Sequence, residues 1–185
     1  MSRSLAYALF ILFFISGVMV GYFLTPEYAV ENERMRANHD LGPADRYVDL
    51  RYLDGMIAHH LAAIYLLEQA QTHSQRPEIQ DLASAVIAAD LAEIEELYDY
   101  KKDWYDNTRP VTEFEKINLG TADELFDLRL LNALLAHHHQ AIDAAMEIST
   151  KSVRNEVLNL ANQTATALSA NAAVLESYRK DWYEL

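Results

Sequence analysis

Cysteine is absent from the 185-residue sequence, and glycine and proline are scarce, at five and four residues. Without cysteine the protein has no disulfides, no thiolate zinc site and no thiol catalysis. Few glycines and prolines, with 51% apolar residues, favour helices over sheets. Basic residues are also few: 15 Lys and Arg face 28 Asp and Glu, giving a net charge of −13. That charge predicts no nucleic-acid partner and no docking of the soluble part on anionic lipid.

The longest apolar run, residues 5–24, contains no charged side chain. As a helix it would span about 30 Å, the thickness of a bilayer's hydrocarbon core, so residues 1–24 are predicted to be a transmembrane signal anchor contacting lipid. Residues 25–40 are polar and predict a juxtamembrane tether. Arg3 precedes the run and glutamates follow it, which predicts a single-pass protein of the cell membrane. Its N-terminus would be cytoplasmic and the remainder extracytoplasmic, on the periplasmic or cell-surface side. A cleaved signal peptide is the alternative, although its apolar core would be unusually long.

An internal repeat organises the rest of the chain. Residues 41–105 align with residues 119–183 without gaps, at a constant offset of 78. LGPAD meets LGTAD, DLRYL meets DLRLL, AHHLAAI meets AHHHQAI, and KDWY recurs unchanged. We infer a tandem duplication, with repeat one at residues 41–107 and repeat two at residues 119–185.

Each repeat has the pattern of a helical hairpin. Between about residues 45 and 72, apolar residues recur three and four apart, which is typical of a helix with one buried face. That predicted face carries Leu50, Leu53, Ile57, His60, Ile64 and Leu67. A second helix begins at Pro77, a residue that the first helical turn accepts. Its predicted buried face carries Ile79, Leu82, Val86, Ala89, Glu93, Leu97, Tyr100 and Trp104.

Two hairpins that each have one apolar face bury those faces best against each other. The sequence therefore predicts an all-α, antiparallel four-helix bundle over residues 41–185. Trp104 and Trp182, with the tyrosines beside them, are predicted to be aromatic plugs at one end of this bundle.

Paired histidines recur in the middle of the first helix of each repeat. His60 and His138 take buried positions that normally hold Leu or Ile, and an unpaired polar group there costs a few kcal/mol. In repeat one, Met56 lies one turn earlier and shares a surface with both imidazoles of its pair. Thioether and imidazole form a soft donor set, which suits Cu(I) or Ag(I).

Carboxylates of the second helix complete the predicted site. If the hairpin turns near Ser74, Asp90 and Glu93 come close to His60, either as oxygen ligands or as acceptors that fix its tautomer. The predicted metal-site residues are Met56, His59, His60, Asp90, Glu93, His137 and His138. Repeat two carries Leu134, Leu168 and Asn171 at the positions of Met56, Asp90 and Glu93. The alternative is a structural or interaction bundle without metal, whose histidines bond only to buried carboxylates.

With these motifs in view, the sequence resembles the family catalogued as domain of unknown function 305, a ferritin-like helical group. The residues that carry the resemblance in repeat one are Asp49, Met56, Ile57, His59, His60, Ala63, Ile64 and Trp104. Those in repeat two are Asp127, His137, His138, Ala141, Ile142, Asp143 and Trp182. The resemblance implies an extracytoplasmic protein that binds copper or silver through Met56, His59 and His60, and less directly through His137 and His138.

These observations predict a membrane-anchored metal-binding protein that holds one copper or silver ion for sequestration or handling. No enzymatic activity is expected, because Glu-x-x-His pairs, H-E-x-x-H, G-x-S-x-G and phosphate-loop motifs are missing. A homo-oligomer is left open by the sequence.

Overall fold

The computed structural model describes residues 40–184, which form four helices. They are α1 (Val48–His73), α2 (Pro77–Tyr105), α3 (Phe126–Lys151) and α4 (Asn155–Tyr183). The all-α prediction is confirmed, and the helices begin and end close to the predicted positions. Within the described range no helix is both long and apolar enough to cross a membrane. The predicted anchor, and the predicted tether up to residue 39, lie outside the described residues.

The repeated L-G-x-A-D segment folds back onto the helix that follows it. Gly42 takes a left-handed φ of +69°, which favours glycine, and the Asp45 carboxylate accepts a hydrogen bond from the Tyr47 backbone N–H at 2.9 Å. Arg51, one turn into α1, donates to the backbone oxygens of Leu41 and Pro43. Equivalent contacts in repeat two involve Gly120, Asp123 and Arg129.

Helices α1 and α2 form hairpin one, α3 and α4 form hairpin two, and the hairpins pack through α1 and α3. The two contacting helices are antiparallel. Leu41, just before α1, donates its backbone N–H to Glu147 near the end of α3, at 3.1 Å. Leu119, before α3, donates its backbone N–H to Gln69 near the end of α1, at 3.0 Å.

The core consists of two apolar clusters, and the 78-residue offset between the repeats relates the residues of one cluster to those of the other. The first cluster draws most of its large residues from the first half of α1, and it adds Ile94 and Leu97 of α2 and Ile148 near the end of α3. The second draws on the end of α1 and the start of α3. Adding 78 to Tyr52 and Leu53 of the first cluster gives Leu130 and Leu131 of the second. The hairpins are therefore related by an internal approximate two-fold axis that runs between the clusters.

On α2 the buried face differs in part from the predicted one. Ile79 and Leu97 are buried as expected, but Ala89 and Glu93 are exposed. The face actually buried carries Ile79, Ala83, Asp90, Ile94, Leu97 and Lys101. The difference arises because Asp90 and Lys101 are buried by pairing with His60 and Asp54. Hydropathy alone could not place such charged residues inside.

An arginine of each hairpin stacks on a tryptophan of the other. The Arg154 guanidinium lies 4.1 Å from the centre of the Trp104 ring, and its Nε is 3.4 Å from an Asp49 carboxylate oxygen. The equivalent contact joins Arg76 to Trp182, at 4.1 Å, and to Asp127, at 3.2 Å.

The prediction that both tryptophans lie at one end is wrong. Trp104 packs against the first apolar cluster and Trp182 against the second. Because α1 and α3 are antiparallel, equivalent residues of the two repeats lie at opposite ends. Each end therefore has one arginine–tryptophan contact that ties the hairpins together.

Replacing Arg154 or Arg76 by alanine removes one of these contacts. We expect each substitution to lower the free energy of unfolding by about 1 kcal/mol, since the guanidinium groups are partly exposed. The two losses should add, because the contacts lie at opposite ends. Urea denaturation followed by circular dichroism measures this, with the exposed Arg109→Ala as control. An unchanged unfolding midpoint in the double variant would contradict the assignment.

Candidate metal centre

The four predicted histidines lie together between the two apolar clusters, and we call them the histidine layer (His59, His60, His137 and His138). Along α1, His60 follows Ile57 of the first cluster and precedes Leu66 of the second. Its repeat-two equivalent, His138, is also buried, and each is 7% exposed. The internal two-fold axis thus passes through a polar layer that lies between the two apolar clusters.

At the axis, His59 stacks on its own equivalent, His137. The ring centroids are 3.6 Å apart and the ring planes differ by 5°. The lone pairs of imidazole nitrogens lie in the ring planes, and parallel planes do not meet. One ion could therefore bind both rings only if one of them rotated out of the stack.

His60 is held on both sides by carboxylates of α2. Its Nδ1 lies 3.0 Å from Asp90 Oδ1 and its Nε2 lies 3.1 Å from Glu93 Oε2. Burial alone lowers the pKa of His60, but the hydrogen bonds to Asp90 and Glu93 outweigh it and raise the pKa to about 9. The hydrogen bond from His60 lowers the pKa of Glu93. The proximity predicted for these three residues is confirmed, and it makes His60 an imidazolium near neutral pH.

His138 has no such carboxylates. The positions equivalent to Asp90 and Glu93 hold Leu168 and Asn171, and both line the same cavity as His138. Burial therefore lowers the pKa of His138 to about 4, helped by neighbouring His139. Its Nδ1 is buried and has no hydrogen-bond partner among residues 40–184. Near neutral pH, His138 is a neutral imidazole, the form that binds metals.

A cavity of about 260 Å³ joins these groups, and we call it the histidine cavity. All four histidines line it, together with Asp90, Glu93 and small residues of α2 and α4. Six of the seven predicted site residues therefore surround one space. That space is built almost symmetrically from both repeats, but its carboxylates come from repeat one alone.

Met56, the seventh predicted residue, lies elsewhere. It is 3% exposed and lines a neighbouring cavity of about 250 Å³, which we call the methionine cavity. His59 lines this cavity as well as the histidine cavity. Across residues 40–184, no three His, Asp or Glu side chains are already arranged so that they could hold a metal ion. The roles of the seven residues as ligands stay predictions.

Sequence reasoning missed two buried polar residues at this level. Thr164 of α4 lines the histidine cavity, and Gln140 of α3 lines the methionine cavity. Thr164 stands at the position of Val86, so the repeat alignment offers a weak signal. Gln140 follows the histidine run directly, and no pattern distinguishes it from a surface residue.

The fold and the cavity define a duplicated four-helix protein with a histidine layer on its internal axis. Residues 49–124 match the family model described as "Domain of unknown function (DUF305)". This match confirms the resemblance. It covers repeat one from residue 49, the linker and the first residues of repeat two, and the repeat-two residues from Asp127 to Trp182 lie outside it. None of the curated proteins compared with the chain matches it.

Solved structures of one protein, CopM, share the fold. The chain is 25% identical to "CopM in the Cu(I)-bound form", with a TM-score of 0.65 over 71% of this chain and 95% of that one. It is 26% identical to CopM in a co-crystallised Ag-bound form, with a TM-score of 0.64 and the same coverage. The Cu(II)-bound form, at 23% identity, has a TM-score of 0.67 over 73% of this chain and 97% of that one.

The His60 ion pairs make stability depend on pH on the alkaline side. Because the folded-state pKa is raised from 6.5 to about 9, their contribution is complete below about pH 6.5 and is lost as pH rises through 9. Glu93→Gln removes one of the carboxylates. The difference in unfolding free energy between wild type and this variant should shrink as pH rises from 6.5 to 9. Urea titrations in a chelating buffer measure it, with the exposed Glu95→Gln as control, and a difference constant over this range would contradict the assignment.

The lowered pKa of His138 predicts that stability also depends on pH on the acid side. Its folded-state pKa is lowered from 6.5 to about 4, so the unfolded chain takes up a proton first and stability falls as pH drops from 6.5 towards 4. His138→Leu, which places an apolar residue there, should reduce this loss relative to wild type. The exposed His139→Leu serves as control. If both variants lost stability as steeply as wild type, His138 would not be the buried neutral group described here.

Proposed function

We propose that the protein binds one soft or borderline metal ion, with Cu(I) and Ag(I) foremost, in the histidine cavity. The observation that carries the proposal is the neutral, buried His138, whose Nδ1 faces no protein partner in residues 40–184. A buried polar atom left in that state costs about 1–3 kcal/mol, and a metal ion would remove the penalty. Imidazole nitrogen is a suitable donor for copper and silver.

In this proposal the histidines of the two repeats have different roles. His138 is the leading ligand, and His59 or His137 joins it after leaving the stack. Asp90 and Glu93 hold His60 as a cation, so His60 becomes a ligand only when it loses its proton. In that case Asp90 would keep its hydrogen bond to Nδ1 and orient the ring.

The comparisons support this choice of ion. Solved structures named for Cu(I)-bound and Ag-bound CopM share the fold at 25% and 26% identity. The net charge of −13 also favours a cationic cargo. No turnover is proposed: the protein would sequester the ion or pass it on.

We further propose the setting in which this happens. The apolar residues 5–24 would anchor the chain in the cell membrane, with the tether leading to a ferritin-like bundle on the extracytoplasmic side. Sequence supports this, through the length of the uncharged run and the basic residue before it.

A structural role without metal is the second candidate, and the His60 geometry favours it. Both ring nitrogens of His60 have carboxylate partners, so this histidine needs no ion. On this account the layer would serve only to fix how the hairpins pair. Adding metal would then leave the melting temperature unchanged.

Competition titrations of the full-length, detergent-solubilised protein with Cu(I), Ag(I), Cu(II) and Zn(II) test the proposal. We expect about one equivalent of Cu(I) or Ag(I) to bind tightly, because His138 offers one neutral, buried imidazole nitrogen in the histidine cavity. His137→Ala/His138→Ala should weaken binding by more than the roughly 10- to 100-fold that loss of a ligand's supporting partner costs. His59→Ala/His60→Ala should weaken it less, because it leaves His138 in place.

The exposed His139→Ala is the matched control and should bind as wild type does. Unchanged affinity in the His137→Ala/His138→Ala variant would exclude the histidine cavity as the site. Absence of binding in the wild-type protein would favour the structural role.

A further inference from the structure

We propose that Met56 and His59 form a transfer pair. An incoming soft monovalent ion binds first to the Met56 thioether in the methionine cavity, and His59 then carries it into the histidine cavity. This inference rests on the proposed function and adds a route and a source of selectivity. The step is a ligand exchange: the ion stays monovalent, and the ligand that delivered it returns to solution.

The position of His59 is the first reason. Among the histidines of residues 40–184, it is the one that lines both cavities. It is also one of the two rings in the axial stack, 3.6 Å from His137. Rotation of one of these two rings out of the stack is the movement that an ion shared by both rings requires. Because His59 borders both spaces, it is the ring suited to carrying an ion between them.

Space beside Met56 is the second reason. Gly55, its neighbour, lines the methionine cavity, and a Cβ added at Gly55 would meet no atom within 4 Å. Repeat two has Ala133 and Leu134 at these positions, and both are buried in the second apolar cluster. The open space with a sulfur donor is therefore a feature of repeat one.

The third reason is the chemistry of the other side of the histidine cavity, which α2 and α4 border. From the α2 and α4 side, the histidine cavity is bordered by the exposed Ala89 and Ala167 and by the oxygens of Asp90 and Glu93. Carboxylate oxygens are hard donors that suit Cu(I) and Ag(I) poorly, whereas a thioether suits them well. Asp40 and Asp54 also line the methionine cavity, so the two approaches differ by the Met56 thioether and not by the presence of carboxylates. Met56 also has no proton to lose, so it can accept an ion at any pH.

Stopped-flow transfer of Cu(I) from its bicinchoninate complex to the metal-free, full-length protein tests the route under anaerobic conditions. Equilibrium competition with the same complex gives the affinity. In Met56→Leu we expect uptake to slow roughly tenfold, the effect of one lost contact worth about 1.4 kcal/mol at the barrier. Affinity should be nearly unchanged, so release should slow by the same factor. Leucine is the residue that repeat two carries at this position, so the fold should tolerate it.

One further variant completes the experiment. Met146→Leu is the matched control, since Met146 is 64% exposed on α3 and lines neither cavity, and its uptake should equal that of wild type.

Each other outcome overturns the transfer pair. Weaker binding of Cu(I) by Met56→Leu without slower uptake would make Met56 a resident ligand. Unchanged uptake in Met56→Leu would exclude the Met56 thioether as the first binding site. Failure of wild type to take Cu(I) from the complex at any excess would instead overturn the proposed function itself, and the transfer pair with it.

Discussion

Two long antiparallel helices that meet near their middles must bury whatever residues lie at the meeting point, and in this protein those residues are histidines. His59 of α1 and His137 of α3 stack at 3.6 Å on the internal two-fold axis. Imidazole nitrogens in that position need partners, because an unsatisfied polar atom in a core is costly. The layer splits the core into two apolar clusters, and the partners available to each of its histidines determine the chemistry of the site.

The two repeats provide different surroundings for their equivalent buried histidines, His60 and His138. In repeat one, Asp90 and Glu93 surround His60 and keep it charged. In repeat two the same positions are apolar or neutral, and His138 stays uncharged and buried. The fold is nearly symmetric, but its two equivalent buried histidines differ. His60 is held in ion pairs, whereas His138 has a lone pair that can bind a metal ion. Repeat two lacks the two carboxylates that repeat one places around His60. Their absence makes His138 the better candidate ligand.

Much of the fold could be predicted from the sequence, because duplication and helical periodicity are local and repeated signals. Helix boundaries, the hairpins and the approach of Asp90 and Glu93 to His60 all follow from spacing along two helices. The separation of Met56 from the carboxylates could not be predicted. It depends on which side of α1 faces α3, and residues one helical turn apart can line different cavities. The stack of His59 on His137 likewise depends on how the hairpins pair, which no local pattern encodes.

Long-range ¹H–¹⁵N spectra of the imidazole rings, with and without one equivalent of Ag(I) at pH 7.5, test the central claim most directly. In the metal-free protein the account predicts that His60 carries protons on both nitrogens and that His138 is a neutral tautomer. Silver should then shift the nitrogens of His138 while those of His60 remain unchanged. A neutral His60, a charged His138, or silver shifts confined to His60 would contradict the account.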